Sequence, residues 1–323
     1  MPVNNNLKPT TFPMQIKFDE IPVTEFHNNL ENIDVKIEYA PTMDDLRNFV
    51  PNFALATWAD KPEIQDLTEI EKDKAIYMVF REKLLPSTLE TIRPTFLLKG
   101  ISYQDVTHIL RYRGATFSAE CSGDKWWTDK DVVVPTSIQN SPEFYTRYKE
   151  LSKQIKQLYC DMLDSREISL LDARFILHRG METYYHMSIS LREALHFIKH
   201  RIDKQIQPDS DNVIAYRMWE ALIDRYPLLV DIIDIHQPAM FYVKTARTGR
   251  CTNLFVPDAD TDIYEWNEED YLYGRTRDKV NGTDKKLAES YYPFGEILKN
   301  LDAKIARIKK ENIAKYGEDF FKI

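Results

Sequence analysis

Cysteine is scarce in this chain. Cys121, Cys160 and Cys251 are the only three in 323 residues. Scattered thiols in that number build neither a disulfide framework nor a zinc site. Glycine is also scarce, at nine residues. No glycine-rich dinucleotide fingerprint, P-loop or Gly-x-Ser-x-Gly elbow occurs. No stretch approaches the roughly 20 apolar residues of a membrane span. The opening MPVNNNLKPTTFP lacks the apolar run of a signal peptide. An excess of positive charge is missing too. Lys plus Arg is 43 against 51 for Asp plus Glu, a net charge of −8. That balance argues against a general nucleic-acid binder, which needs a clustered positive surface. The absences together lead to the expectation of a soluble, cytoplasmic protein with neither nucleic acid nor membrane as partner.

Apolar residues are plentiful, at 43%. That is enough for a sizeable core in one large domain or two smaller ones. Residues 1–35 read as an N-terminal arm or edge strand. The spacing predicts a helix over 43–58, interrupted at Pro51. A second covers 66–82, with Ile70, Ala75, Met78 and Val79 near one face. Residues 94–101 form a short apolar run ending near Gly100, and 103–113 a helix passing into a turn. A long helix follows over 142–164, with Tyr145, Tyr148, Leu151, Ile155 and Leu158 at helical spacing. Further helical blocks are expected at 168–180, stopped by Gly180, at 188–206 with Ser188 or Ser190 as N-cap, and at 210–224. Residues 258–270 hold seven carboxylates, and a last amphipathic helix is expected near 294–315. The pattern is helix-rich with a few strands.

Two segments carry candidate chemistry. Arg111-Tyr112-Arg113 precedes GATFSAECSGDK. On an extended chain the two arginines would share one side. With Ser118, Glu120, Ser122 and Gly123 they could hold a phosphorylated ligand, or form a polar surface loop. The other segment is the helix with Arg192, His196, His200 and Arg201. Arg192 and His196 share a face. Arg192 and Arg201 point to opposite sides, as in a helix lying between two sites or two subunits. An exposed helix with solvated cations is the plainer alternative. His196 and His200 lack the HExxH form and a third ligand, so no metal site is expected.

In this order, the pieces resemble the flavin-dependent thymidylate synthase family. The family signature is Arg-His-Arg followed at a fixed distance by Ser. Here Arg111-Tyr112-Arg113 is followed by Ser122, one residue further on. The family's upstream strand and Gly-Ile-Ser match FLLKGIS at 96–102, and its Thr-x-x-Glu matches Ser87-Thr88-Leu89-Glu90. Its downstream Ala-Arg, Asn-x-Arg, helix-ending Arg and Ala-Gln match Ala173-Arg174, Ser190-Leu191-Arg192, Arg201 and Ile206-Gln207. The match spans roughly 43–225.

The resemblance implies an α+β fold: helix-rich, with a central, mostly antiparallel sheet. It implies a catalytic domain at 36–245. It implies a homotetramer with active sites between subunits. Residues 246–323 have no counterpart in the family pattern and read as a C-terminal helical extension that clasps a subunit or acts as a lid, with the acidic stretch equally readable as a solvated surface. The implied activity is FAD-dependent C5 methylation of a pyrimidine deoxynucleotide, dUMP to dTMP. Methylenetetrahydrofolate would supply the carbon and NADPH the electrons. Ser87, Glu90, Arg111, Tyr112, Arg113, Glu120, Ser190, Arg192 and His196 would face FAD. His108, Arg111, Glu120, Ser122, Gly123, Lys125, Arg174 and Arg201 would hold the nucleotide, with Arg201 on the pyrimidine ring as the catalytic residue. Such an Arg favours an ionised ring and enriches C5. The departures gather around substrate and flavin: the longer signature, Tyr112 for His, Asp124 then Lys125 where the family has a phosphate Arg, and Ser190 for Asn. They leave open a hydroxymethyl product, dCMP or UMP as substrate, or a non-catalytic flavin- or nucleotide-binding protein.

Overall fold

The computed structural model describes residues 32–55, 67–123, 127–128, 130–139, 141–202, 209–236 and 295–322. Its centre is a four-stranded sheet of β1 (Asp34–Tyr39), β2 (Thr95–Ser102), β3 (Ala115–Ala119) and β4 (Glu182–Ile189). The strand order is β1-β2-β4-β3, and every neighbouring pair is antiparallel. Besides a single helical turn at Thr136–Gln139, the α-helices among the described residues are α1 (Met43–Leu55), α2 (Glu69–Phe80), α3 (Thr88–Thr91), α4 (Tyr103–Ile109), α5 (Pro142–Ser165), α6 (Leu170–Ala173), α7 (Leu191–Arg201), α8 (Asp209–Arg225) and α9 (Gly295–Tyr316). This is the expected helix-rich α+β architecture with an antiparallel sheet.

The strand β4 is not among the segments read from sequence. Its pattern is nonetheless that of a strand. Thr183, Tyr185, Met187 and Ile189 are buried, and the residues between them are half-buried. Alternation of this kind puts one face on the core. The neighbouring β2 runs past Gly100 to Ser102, with its pairing to β4 shifted between Leu98 and Ile101. Gly100 has φ +68°, and a Cβ there would stand 2.0 Å from the Asn32 carbonyl oxygen. Only glycine fits such a bulge.

Several helix expectations change. Pro51 does not interrupt α1, which is continuous through it. The proline lacks an N–H for the helix ladder, but Leu46, Val50 and Ala54 are buried around it and hold the helix together. In α2, Ile70 is 57% exposed, while Asp73, Ile76, Tyr77 and Phe80 are buried. The Asp73 carboxylate can be buried because Arg47 of α1 clamps it with two bonds, of 2.7 and 3.0 Å.

In α5, Leu151 and Leu158 are exposed at 56% and 42%. The buried face is instead Ser152, Lys156, Tyr159, Cys160 and Leu163. It closes a small second core with Trp127, Val132, Val134 and Met181. Lys156 is accommodated because its amine bonds the Lys130 carbonyl. The block expected at 168–180 is only α6 and a 3-10 turn, Arg174–Ile176, and Gly180 stands before β4 rather than at a helix end.

The main core lies between the sheet and α7, α8 and α9. Leu191, Leu195 and Ile198 of α7 are buried, as expected from their spacing. Leu301 and Ile308 of α9 join the same core. Lys304 ties α9 to Glu220 and Asp224 of α8 at 2.9 and 2.7 Å. The Tyr316 hydroxyl donates to Asp73 at 2.8 Å. The last helix therefore packs on its own chain. Of the arm expected at 1–35, Asp34 and Val35 begin β1, while residues 1–31, the 258–270 acidic stretch and Cys251 lie outside the described residues. No helix among the described residues is long and apolar enough to cross a membrane.

Candidate active site

The predicted residues gather around α7. Ser190 caps its N-terminus, with its buried hydroxyl accepting from the Glu193 N–H at 3.3 Å. At the second position of the helix, Arg192 points toward α3 and donates to Glu90 at 2.7 Å, with Glu82 at 3.8 Å. The packing of α3 on α7 is fixed by the Leu191 N–H, which donates to the Ile92 carbonyl at 2.7 Å. Ser87 is exposed just before α3. A cleft of about 460 Å³ opens here, lined by Phe80, Arg81, Glu82, Arg192, Glu193, Leu195, His196, Lys199 and Ile232. Three cations, Arg81, Arg192 and Lys199, border it.

His196 is exposed, and its Nε2 lies 2.7 Å from Nε2 of His200. One nitrogen must donate and the other accept, so the pair does not carry two charges. Burial, then His196, Arg201 and Lys199, push the His200 imidazole down to about 4. Among the described residues no group of three His, Cys, Asp or Glu could hold a metal.

Arg111-Tyr112-Arg113 is a turn between α4 and β3, not an extended segment. The Tyr112 N–H donates back to Ile109 at 2.9 Å. Arg111 and Arg113 are exposed. Tyr112 is folded onto α7, edge-on to Phe197 at 5.3 Å, with its hydroxyl 2.5 Å from Glu193 Oε2. Gly114 permits this, since a Cβ there would meet the Glu193 carboxylate at 2.7 Å.

Beyond β3, Glu120 is buried, and its carboxylate accepts from Lys130 at 3.1 Å and Thr183 at 3.3 Å. Ser122 bonds the Tyr103 hydroxyl, a phenol pushed up chiefly by burial. Gly123 lies against Arg174. A Cβ at Gly123 would stand 2.9 Å from Arg174 Nη1. Ser122, Gly123 and Arg174 thus meet although they are far apart in sequence. Lys125, expected at the substrate phosphate, and Asp124 lie outside the described residues, as do Ile206 and Gln207.

At the other end of α7, Arg201 turns inward. Its Nη1 lies 3.0 and 3.1 Å from the two ring nitrogens of His108, at the end of α4. The near-equal distances place the guanidinium nitrogen over the imidazole, since the in-plane alternative would drive it into Cε1. Arg192 and Arg201 do leave α7 in different directions, as their spacing predicts.

Sequence reasoning missed the carboxylates behind Arg201. Asp211 of α8 accepts from Arg201 Nη1 at 2.5 Å, and Asp105 of α4 accepts from Ser210. Burial first, then Asp211, pushes the Asp105 carboxyl up. The capping pattern Ser102-x-x-Asp105 was visible in the sequence, with both members of the box formed. No spacing announced Asp211, because it stands on the helix after Arg201.

The family model described as thymidylate synthase complementing protein matches residues 38–228. Flavin-dependent thymidylate synthase from Pyrococcus furiosus is 28% identical over 143 residues, 43% of this chain and 58% of that protein. The protein of the same name from Thermococcus onnurineus is 30% identical over 136 residues, 41% of this chain and 55% of that protein. The chain thus spans little more than half the length of the curated relatives it matches. Among solved structures, the UMP/dUMP methylase PolB from Streptomyces cacaoi, bound with 5-Br dUMP, is similar in fold. Its TM-score is 0.53 at 16% identity, covering 64% of this chain and 95% of that one.

Proposed function

This chain belongs to the thymidylate synthase complementing protein family, and on that premise we propose that it is a flavin-dependent enzyme that methylates C5 of a uracil nucleotide, converting dUMP to dTMP. The observation that carries the reading is the meeting of Arg201 with His108. The two are 93 residues apart in sequence and join at the ends of α7 and α4. A guanidinium beside an imidazole offers hydrogen-bond donors to the edge of a pyrimidine ring. Arg174, with Ser122 and Gly123, offers a fork and small groups suited to a phosphate.

The cysteines support a route without a thiol nucleophile. C5 of uracil is a poor nucleophile, and one way to activate it is thiolate addition at C6. Cys160 is buried, and burial pushes its thiol up to about 11, so it stays protonated at neutral pH. Cys121 is exposed, and none of Cys121, Cys160 and Cys251 stands in the Pro-Cys-His sequence of the thymidylate synthases that use such a thiolate. Activation then falls to hydrogen bonds on the ring oxygens and N3.

The cleft beside α7 fits an anionic dinucleotide. Arg81, Arg192 and Lys199 supply positive charge in excess of Glu82 and Glu193, and His196 supplies a polar contact. Glu90 and Glu82 hold Arg192 at the rim. FAD bound there would supply the hydride for the one-carbon adduct. Methylenetetrahydrofolate is the proposed carbon donor and NADPH the reductant. A homotetramer with shared sites agrees with exposed Leu171 and Phe175, which flank Arg174 and await cover. Residues 36–245 form the catalytic unit in this reading, and 246–323 an extension.

The test is direct. The protein is incubated with FAD, methylenetetrahydrofolate and NADPH, with dUMP, dCMP, UMP and CMP offered separately, and products are weighed by mass spectrometry. A methyl increment on dUMP is expected. A hydroxymethyl increment or another accepted base would replace the product or substrate named here. Bound flavin without any product would point to a binding protein.

A further inference from the structure

We propose that Lys130 is a further substrate-binding residue: its ammonium, seated on the Glu120 carboxylate, supplies positive charge to the phosphate of the nucleotide beside Arg174. The proposal deepens the reading of Ser122, Gly123 and Arg174 as the phosphate end of the site, and it rests on that reading.

No local pattern marks Lys130 in the sequence; the fold places it. The segment 130–134 is tied to the start of β4. The Glu182 N–H donates to the Asp131 carbonyl at 2.9 Å, and the Val133 N–H to the Gly180 carbonyl at 2.7 Å. Val132 and Met181 pair between them. The buried Lys156 of α5 donates to the carbonyl of Lys130 itself. These bonds fix the backbone from which the side chain springs. Its head is fixed by Glu120, with the ammonium 3.1 Å from each carboxylate oxygen. The same ammonium stands 5.6 and 5.5 Å from the ring centres of Trp127 and Tyr184. A cation over aromatic faces is held there electrostatically.

The pair is unequally covered. The Glu120 side chain is 1% exposed and that of Lys130 is 25% exposed. A ligand entering here therefore meets the ammonium before the carboxylate. An ammonium carries three N–H donors. Two carboxylate oxygens engage at most two of them, which leaves a donor for an anion. The phosphate end of the site lies alongside. Tyr103 of α4 packs on Trp127 at 5.0 Å between ring centres. Its hydroxyl bonds Ser122, and its phenol, pushed up chiefly by burial, also feels the charges of Glu120 and Arg174 in opposite senses. Arg174 in turn lies against Gly123. One aromatic ring thus separates Lys130 from the residues read as the phosphate site. A phosphate held there by Arg174 alone would face a buried carboxylate of like charge. Lys130 stands on that carboxylate and turns the same place into a second point of attraction.

The experiment is calorimetric titration of dUMP, and of deoxyuridine at millimolar concentration, into the flavin-loaded full chain at about pH 8, where the phosphate is a dianion. Deoxyuridine offers the same base and sugar without the phosphate. The quantity read is the preference for dUMP over deoxyuridine. Lys130→Gln keeps a donor for Glu120 and should lower that preference at least about tenfold. The double variant Glu120→Gln, Lys130→Gln leaves no unpaired buried charge, and its preference should also stay below that of wild type. Lys130→Arg keeps the charge and should keep most of the preference. A folded variant without the lysine that retains the wild-type preference overturns the proposal, even where both ligands bind more weakly. Such a result is what a lysine that only supports Glu120 would give. A folded Lys130→Arg as poor as Lys130→Gln overturns it too. If wild type binds neither ligand, the nucleotide reading of the site falls and this proposal with it. If wild type binds both and the variants share its preference, this proposal falls alone.

Discussion

Arg192 and Glu90 lie 102 residues apart in sequence and meet at 2.7 Å across the gap between α7 and α3. Both side chains are about half exposed. An ion pair in that setting contributes about 0–1 kcal/mol to folding. Its value is in orienting Arg192 at the cleft. Arg192→Ala should therefore lower flavin occupancy at least about tenfold, the loss expected when a charge-assisted contact goes. The melting temperature should barely move. Flavin absorbance after gel filtration reads the first effect and a thermal melt the second. Unchanged occupancy would remove Arg192 from the cofactor site.

Arg201→Ala should behave oppositely. Turnover of dUMP should be lost while bound flavin stays near wild type, because Arg201 faces His108 and Asp211, not the α3 cleft. Steady-state rates and flavin content on the same preparation separate the two. Activity surviving the substitution would show that another group holds the base.

Gly100→Ala should destabilise the protein by more than the ~1 kcal/mol typical of a tolerated glycine change. The new Cβ would collide with the Asn32 carbonyl, and φ +68° would be strained for alanine. Urea denaturation should show a lower midpoint with little change of slope. A midpoint like that of wild type would mean the β2 bulge can relax.

Asp73→Ala should cost about 1–3 kcal/mol, because it removes two charge-assisted bonds from Arg47, which keeps Asp44 and Glu69, and also takes the acceptor from Tyr316. The same variant should loosen α9. Hydrogen exchange in 295–316 should quicken more than in β4. Equal changes in both would mean that Asp73 does not anchor the last helix.

Acid should weaken the fold through His200. Its folded value, about 4, lies below the ordinary 6.5. The unfolded chain therefore binds the extra proton first, and stability present above pH 6.5 is lost as pH falls toward 4. The side chain is partly exposed, so after solvent screening the contribution is no more than about 1 kcal/mol. His200→Gln should flatten the melting temperature between pH 6.5 and 4. An unaltered slope would assign the acid sensitivity to other groups.

The long periodic helices were legible in the sequence, because an apolar stripe on a helix is a local pattern. The spans of α8 and α9 were read to within about one residue, whereas the helix expected at 188–206 is only Leu191–Arg201, its first expected residues belonging to β4. The side of α5 that is buried was not legible. Leu151 and Leu158 share a face as their spacing says, yet the packed face holds Ser152 and Lys156, whose polar atoms find backbone carbonyls nearby. The sheet was only partly legible, since β4 alternates over just eight residues.

The sequence by itself determined which cations could act, and that Arg192 and Arg201 leave one helix in different directions, because helical geometry is set by spacing alone. Tertiary structure decided what each of them meets. Glu90 reaches Arg192 from α3, and His108 and Asp211 reach Arg201 from α4 and α8. Partners supplied by separate elements depend on how those elements pack around a common core, and no local pattern records that packing.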